Sequence, residues 1–283
     1  MQYTNWHKAI FLNRPNRFIA HCLLDGKQVV AHVKNTGRCR ELLVPGCQVF
    51  LEHIPSPHRK TQYSLYAVTK SLCQQPQVLE TCFSNTHCID KNEGLSRSVS
   101  SLGQNSADPC HISAEHELLI NMDSSAPNQV FWEQAKENIG KILPEFSPSD
   151  TSSMTPLILK REVPFSHSRF DFFVAQGEKQ AYVEVKGVTL EENGVVLFPD
   201  APTVRGEKHV YELIHAAQQG YLAYLVFIVQ LSGAKYFTPN EKTHPSFGMA
   251  LRKAQEQGVK LLCYDCHVSE SEISFANPVP IQL

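Results

Sequence analysis

The strongest constraint on the fold of this chain is a strand–turn–strand pattern between Arg169 and Gly187. Aromatic and β-branched residues fill its two ends, while a glycine and several charged residues fill the middle, which is typical of a β-hairpin. Side chains in a strand point alternately to opposite faces. The first strand is therefore predicted to present Asp171 and Phe173 on one face and Phe170 and Phe172 on the other.

Two carboxylates and one ammonium group are predicted to share a patch of this hairpin. Glu184 and Lys186 lie on one face of the second strand, and strand pairing places Asp171 beside Glu184. Hard oxygen ligands of this kind hold Mg²⁺ or Mn²⁺, and a neighbouring lysine can stabilise charge during phosphodiester cleavage. The pattern predicts that Asp171 and Glu184 bind the metal and that all three residues are catalytic. The alternative is an ordinary strand face whose charges pair across the sheet.

The charge of the chain is unevenly distributed. The whole chain carries −2, but residues 1–70 hold ten Lys and Arg against three Asp and Glu, a net charge of +7. A basic module on an acidic body is typical of a protein with a polyanion partner, unless the imbalance is an accident of composition. The residues expected to contact nucleic acid or phosphate in this part are Lys34, Asn35, Thr36, Arg38 and Arg40.

Residues 1–82 are predicted to form a basic β-barrel domain. A hairpin spans Arg17–Val33 with Asp25-Gly26 as its turn, and further short strands follow. Four or five short strands in about 70 residues favour an oligonucleotide-binding (OB) fold. Four aromatic residues are candidates either for stacking on bases or for filling the barrel. They are Phe18, Phe50, Tyr63 and Tyr66.

Residues 116–283 are predicted to form an α/β domain, separated from the barrel by a flexible Ser/Asn-rich linker or insertion at residues 83–115. Helical periodicity alternates with short apolar runs, which favours a mixed sheet with helices on its faces. The fold class is therefore α+β or mixed. The predicted helices are Val130–Ile142, Arg205–Gln219 and Ser246–Gln257, and the last predicted strand is Val259–Tyr264.

A second phosphate site is predicted where the helix at residues 205–219 begins. Thr203 can cap this helix, and its first turn carries Arg205, Lys208 and His209. Cations are disfavoured at a helix N-terminus, so three basic residues there indicate an anion site. The alternative is a solvated helix start with local ion pairs.

The composition also restricts the class and location of the protein. No apolar run approaches the roughly 20 residues needed to cross a bilayer, and the N-terminus lacks the pattern of a secretory signal. Nine cysteines without a framework spacing are typical of free thiols in a reducing compartment. We therefore expect a cytoplasmic protein.

Three segments closely resemble the sugar fermentation stimulation protein A (SfsA) family. They are H-V-K-N-T-G-R-C-R-E-L-L-V-P-G, then S-R-F-D-F-F-V with Y-V-E-V-K-G-V-T-L, and L-F-P-D-A-P-T-V-R-G-E-K-H. The resemblance runs over nearly the whole chain in the order of the family. The main departure is at residues 84–114, where family members usually have a shorter connection.

This resemblance implies an N-terminal OB-like domain, a C-terminal domain similar to PD-(D/E)-x-K nucleases, DNA binding, and a role in the regulation of sugar-utilisation genes. The nuclease pattern falls on Asp171, Glu184 and Lys186, with Glu162 as a further carboxylate on the preceding strand. The resemblance does not decide whether the chain cleaves nucleic acid, because nuclease folds are reused for binding.

The leading hypothesis is a DNA-binding protein with little sequence preference, whose barrel grips the backbone and whose second domain holds a Mg²⁺-competent site. One alternative is an active Mg²⁺-dependent nuclease of DNA or RNA. Another is a metabolic regulator that binds a small phosphorylated ligand at residues 205–209. No membrane partner is expected, and the sequence leaves the oligomeric state open.

Overall fold

The computed structural model describes residues 1–35, 37–71, 117–147 and 155–283. The predicted linker at 83–115, the predicted start of the second domain at residue 116 and Thr36 lie outside the described residues. Met1–Lys70 and Leu118–Leu283 belong to one compact unit. No helix in the described part of the chain is both long and apolar enough to span a membrane.

The N-terminal domain is a closed five-stranded barrel, which confirms the predicted OB fold. The strands follow the order β3-β2-β1-β4-β5, and parallel pairing of β3 with β5 closes the barrel. Asp25 and Gly26 both adopt positive φ, as a two-residue hairpin turn requires. The sequence analysis did not predict the first strand, in which Pro15 breaks the apolar pattern. The strands are β1 (Trp6–Asn16), β2 (Ile19–Leu24), β3 (Lys27–Val33), β4 (Gln48–His53) and β5 (Tyr63–Ser71).

The C-terminal domain is built on a six-stranded mixed sheet of order β15-β14-β12-β9-β8-β7. The central strands β9, β12 and β14 are parallel, and the outer pairs are antiparallel. A small sheet of β10, β11 and β13 lies beside it, and β6 extends the barrel sheet next to β5. In chain order the elements are β6 (Glu117–Asn121), α1 (Ala126–Asn138), β7 (Ile158–Phe165), β8 (Ser168–Gln176), β9 (Lys179–Val188), β10 (Leu190–Glu192), β11 (Val195–Phe198), α2 (Val204–Gln218), β12 (Leu222–Val229), β13 (Tyr236–Pro239), α3 (Pro245–Glu256), β14 (Lys260–Val268) and β15 (Ile273–Pro278).

Apolar layers cover both faces of the large sheet. On one face, α2 and α3 pack against Leu225 and Phe227 of β12. On the other, α1 packs against Val226 and Ile228 of the same strand. Strand β12 is therefore buried on both sides, which explains its continuous apolar sequence.

The three predicted helices are present, and their ends follow local signals. Thr203 caps α2 by accepting a hydrogen bond from the N–H of Gly206 at 3.1 Å, as predicted. Gly220 and Gly258 adopt positive φ just after α2 and α3. Helix α1 begins earlier than predicted, with Pro127 in its first turn, and it gives way to a 3₁₀ turn at Ile139–Lys141.

Two predictions about strands are wrong. Strand β14 is not the last, because β15 pairs with it in an antiparallel manner. Phe170 and Phe172 do not share a face: Phe170 lies in the layer of α2 and α3, and Phe172 in the layer of α1. The alternation fails where the pairing of β8 with β9 ends at Phe172 and the pairing with β7 skips Asp171 and Glu162, the latter with a φ of 54°.

Polar contacts join the two domains. Lys34, which follows β3, forms salt bridges with Glu52 of the barrel at 3.2 Å and with Asp123 before α1 at 3.0 Å. Lys70 of β5 pairs with the buried Glu191 of β10 at 2.6 Å. Removing one partner of a buried ion pair destabilises a protein, because the other charge is left buried and unpaired. These two contacts therefore hold the barrel in a defined position beside the second domain.

Candidate functional site

Four elements bring together a cluster of polar side chains, here called the carboxylate site. It consists of Asp171 on β8, Glu184 and Lys186 on β9, His209 on α2 and Asn128 on α1. Strand β9 lies between β8 and β12, so Glu184 and Lys186 project from the middle of the sheet. The structure therefore brings together the three predicted catalytic residues.

Asp171 takes the place of a backbone acceptor at the point where β8 separates from β9. Its Oδ2 accepts a hydrogen bond from the N–H of Val185 at 2.8 Å, and its Oδ1 accepts one from the amide of Asn128 at 2.9 Å. Both donors are neutral. The Asp171 carboxylate is thus oriented by one donor from β9 and one from the first turn of α1.

Glu184 is the most enclosed member of the site, with 2% of its surface exposed. Its Oε1 is contacted by both Lys186 Nζ and His209 Nδ1. The carboxylate accepts both bonds, so the Nδ1 of His209 carries the hydrogen. Its Oε2 is buried and has no hydrogen-bond partner among the described residues. One oxygen is therefore doubly occupied, and the other is available to a ligand.

The pKa values of the two carboxyl groups shift in opposite directions. Burial and the neighbouring charge of Glu184 raise the pKa of Asp171, and its neutral donors do not offset them. Burial opposes ionisation of Glu184 too, but the hydrogen bond from His209 and the charge of Lys186 outweigh it and lower the pKa of Glu184. Folding accordingly favours the ionised form of Glu184.

The donor set fits a hard cation with an incomplete protein shell. In the described part of the chain, no three His, Cys, Asp or Glu residues gather into a group that could hold a metal ion. Two carboxylates are nevertheless what Mg²⁺ takes from a protein when water and substrate phosphate supply its other ligands. The Lys186–Glu184 ion pair is also present, so the two interpretations offered by the sequence are both represented in the geometry.

A second candidate surface, here called the arginine cleft, lies on the barrel. Four arginines line a cleft of about 540 Å³. In the ranges that the structure describes, none of them forms a salt bridge, and the described lining contains no carboxylate. Asp200, beside the cleft, interacts with the charge of Arg38, so the cleft is predominantly but not wholly positive. The arginines are Arg14, Arg17, Arg38 and Arg40.

Arg14 shapes this cleft from inside. Its guanidinium donates to the carbonyl oxygens of Arg38 at 2.7 Å, Arg17 at 2.6 Å and Asn35 at 2.8 Å. It thereby ties the β1–β2 turn to the loop that follows β3. The exposed Arg38 and Arg40 belong to the predicted nucleic-acid contacts, whereas Arg14 and Arg17 were not predicted as contacts.

A third feature, the central cavity, adjoins the arginine cleft. It has a volume of about 320 Å³ and shares Gly37 and Ala201 with the lining of the arginine cleft. Asn35 also lines it and accepts a hydrogen bond from Gly37 N–H at 2.7 Å, and Asp200 contributes a carboxyl group. The lining further includes Gly187 and Pro127, which are the sequence neighbours of Lys186 and Asn128. The cavity therefore extends from the cleft to the segments that carry two members of the carboxylate site.

The remaining predicted contacts are distributed differently. Lys34 is engaged in its two salt bridges, and Thr36 is not among the described residues. Arg205 and Lys208 are exposed at the start of α2 and form no salt bridge within the described ranges. His209 points away from them, into the carboxylate site. The predicted anion site is therefore split between the surface and the interior.

Sequence reasoning missed two roles in the carboxylate site. His209 is spaced four residues before Leu213 and seven before Ala216, both buried, so helical periodicity already placed it on the inward face of α2. Asn128 gave no such signal, because a polar residue in a first helical turn is ordinary. Glu162, the further carboxylate implied by the resemblance, is exposed and has no described contact with the site.

The chain is similar to known proteins over its full length. Residues 12–74 match the family described as SfsA N-terminal OB domain, and residues 125–272 match the one described as sugar fermentation stimulation protein RE domain. The chain is 24% identical to the solved structure of Pyrococcus furiosus SfsA in complex with Ca²⁺, covering 100% of this chain and 98% of that one with a TM-score of 0.72. That likeness supports the fold described above.

Curated relatives carry the comparison further. A sugar fermentation stimulation protein homolog from Desulfitobacterium hafniense (strain Y51) is 43% identical over 100% of this chain and 99% of its own length. A homolog of the same description from Clostridium beijerinckii is 37% identical over 100% of both chains. With both family domains matched in order, and relatives of this identity along the whole length, the chain belongs to the sugar fermentation stimulation protein family.

Proposed function

We propose that the protein binds DNA through the arginine cleft and directs one strand along the central cavity toward the carboxylate site. The observation that carries this proposal is the arginine cleft, whose described lining holds four arginines and no carboxylate and which shares Gly37 and Ala201 with the central cavity. Arginine is suited to phosphate because its planar fork donates two parallel hydrogen bonds. Little sequence preference is expected, since phosphate contacts position DNA without reading its bases.

The binding proposal is tested with a double variant of exposed arginines. Arg38→Glu with Arg40→Glu should weaken binding to a labelled 20-mer duplex of any sequence and reduce the slope of log K against log salt by about 2, because each lost phosphate contact removes roughly one unit. The readout is fluorescence anisotropy between 50 and 300 mM salt.

A matched control separates the cleft from bulk charge. Lys27, at the start of β3, and Lys60, in the connection between β4 and β5, are exposed on the same barrel outside the cleft lining. Lys27→Glu with Lys60→Glu changes the net charge by the same amount and should leave the slope nearly unchanged. Equal loss in both double variants would contradict a defined cleft and leave only general attraction to a basic domain.

A second function, divalent-metal-dependent phosphodiester hydrolysis, is favoured by the buried Oε2 of Glu184, which has no partner among the described residues. Asp171 and Glu184 would hold the cation, and Lys186 would stabilise charge on the phosphate. Bound Mg²⁺ supplies a Lewis acid and lowers the pKa of coordinated water. The structurally similar Pyrococcus furiosus protein is in complex with Ca²⁺, which is also a hard cation.

The metal proposal is tested first without DNA. Millimolar Mg²⁺ or Mn²⁺ should raise the melting temperature of the wild-type protein, because binding at 100 times Kd stabilises the folded state by about 2.7 kcal/mol. Asp171→Asn should abolish that gain. Incubation of the protein with plasmid or single-stranded DNA in the presence of each metal then tests for cleavage. A melting curve that ignores both metals would refute the metal site and the hydrolytic function, while leaving the DNA-binding proposal intact.

A further inference from the structure

The tip of the β1–β2 hairpin presents one aromatic side chain beside the arginine cleft. Asn16 pairs with Ile19 across a two-residue turn formed by Arg17 and Phe18. The side-chain oxygen of Asn16 accepts hydrogen bonds from the N–H groups of Phe18 at 2.9 Å and Ile19 at 3.1 Å. The backbone that carries the ring is thus held by its own turn, and 43% of Phe18 is nevertheless exposed.

A single exposed apolar residue is common on protein surfaces, so its exposure alone does not indicate a binding role. The position of Phe18 beside the cleft is the more specific observation. Its neighbour Arg17 lines the arginine cleft, and the Arg17 guanidinium lies 4.8 Å from the centre of the Phe18 ring. Arg14 donates to the carbonyl of Arg17, so the same side chain that shapes the cleft also supports the turn. The ring and the phosphate-binding groups therefore belong to one surface.

The other predicted stacking candidates differ from Phe18. Phe50 and Tyr66 are buried in the core, with 2% and 0% of their surfaces exposed. Tyr63 is half-buried and packs against His7 and His53. Of the four aromatic residues that the sequence offered for stacking, Phe18 is the one with an exposed ring next to the arginine cleft.

We infer that Phe18 stacks on an unpaired base of a single strand whose phosphates lie in the arginine cleft, so that the protein prefers single-stranded over duplex DNA. Every base has a π-face, so stacking gives strand preference without sequence preference. In a duplex both faces of an internal base are already stacked on neighbouring bases, and the ring has nothing to contact. The inference rests on the proposed DNA-binding function and names the form of DNA it takes.

The test compares three probes by fluorescence anisotropy at one salt concentration: a 12-nucleotide oligothymidine, the same strand with abasic sites in place of its central bases, and a 12-base-pair duplex. Phe18→Ala should weaken binding of the oligothymidine about tenfold, the equivalent of about 1.4 kcal/mol. Binding of the abasic strand and of the duplex should change less than twofold. Phe18→Trp should restore the oligothymidine affinity, because indole stacks at least as well as phenyl.

Val30→Ala is the matched control, since Val30 is also 43% exposed on the same barrel. It should leave all three affinities unchanged, and the melting temperatures of all variants should agree with that of the wild type. Equal weakening of all three probes by Phe18→Ala, or no weakening at all, would overturn stacking while wild-type binding still supports the DNA-binding function. Wild-type protein that binds no probe at any salt concentration would refute both.

Discussion

The carboxylate site contains two neighbouring acidic residues, and their surroundings shift the pKa values of the two carboxyl groups in opposite directions. Glu184 is contacted by a lysine and a histidine, while Asp171 receives hydrogen bonds from neutral amides. Burial acts against both charges, but it is overcome only at Glu184. Folding therefore favours the protonated form of Asp171 and the ionised form of Glu184. This asymmetry gives the two residues opposite effects on stability.

Asp171→Asn is expected to raise the free energy of unfolding of the metal-free protein at pH 7. The pKa of Asp171 is raised by folding, so its ionisation costs stability as the pH rises from its unfolded value of 3.8 through its folded value. The amide oxygen of the variant can still accept from Val185 N–H, and Asn128 can turn its own oxygen to the new NH₂ group. Urea unfolding across pH 3 to 7 should show the gain fading below pH 3.8.

Glu184→Gln provides the contrast, with the opposite sign. It leaves the part-buried Lys186 without its counter-charge and should cost about 3–5 kcal/mol at pH 7. Because folding lowers the pKa of Glu184, this contribution is present above the unfolded value of 4.5 and is lost as the pH falls through the folded value. Stabilisation by both variants, or destabilisation by both, would contradict the assignment of the two charges.

At the scale of elements, the residue that follows β3 anchors the barrel to the second domain. Lys34 is shared between Glu52 on β4 and Asp123, which precedes α1. Its ammonium also lies 5.2 Å from the centre of the Tyr3 ring. The loop that begins here therefore starts from a fixed point, and the exposed arginines of the cleft follow within six residues.

Lys34→Met should destabilise the protein by about 3 kcal/mol. The variant leaves the buried Asp123 without its counter-charge but keeps the apolar stem of the side chain. The salt slope of DNA binding should not change, since this ammonium is already occupied. Denaturant unfolding and anisotropy measure the two effects separately. Lys27→Met, at an exposed position of β3, should affect neither. A reduced salt slope in Lys34→Met would assign Lys34 to phosphate after all.

The sequence predicted elements wherever one physical signal dominated. The Asp25-Gly26 turn, the cap at Thr203 and the doubly buried β12 follow from local chemistry and periodicity, and all three are confirmed. Alternation correctly placed Asp171, Glu184 and Lys186 together, but it failed for Phe170 because β8 leaves its ladder there. Strand β15 and the arginine cleft depend on contacts between distant segments, which no local pattern contains.

At the scale of the whole molecule, the barrel and the α/β domain are joined by contacts that neither could satisfy alone. The N–H of Met122 donates to the carbonyl of Tyr66 at 2.7 Å. Gln230 donates at 3.0 Å to Asn121 of β6, the strand that extends the barrel sheet. The Lys70–Glu191 pair adds a buried ionic contact. Separation of the two domains would break these hydrogen bonds and this ion pair, which lowers the stability of each domain alone.

The two domains should therefore unfold together. Calorimetry of the full chain is expected to show one transition whose calorimetric and van't Hoff enthalpies agree. Lys70→Met should lower its midpoint by several degrees without splitting it, because the buried Glu191 loses its counter-charge while the backbone contacts remain. Two resolved transitions in the wild-type protein would show that the domain contacts are weaker than the structure implies.

The arginine cleft is asymmetric, and this has a consequence for direction. Phe18 lies beside Arg17 at the β1–β2 turn, while Gly37 and Ala201 border the central cavity. A DNA strand is itself directional, with a 5′ and a 3′ end, so a strand held in the cleft makes different contacts in its two orientations. Strands bound by this protein should accordingly favour one polarity, so that a photo-crosslinker near one terminus reacts with the barrel more than the same group near the other terminus.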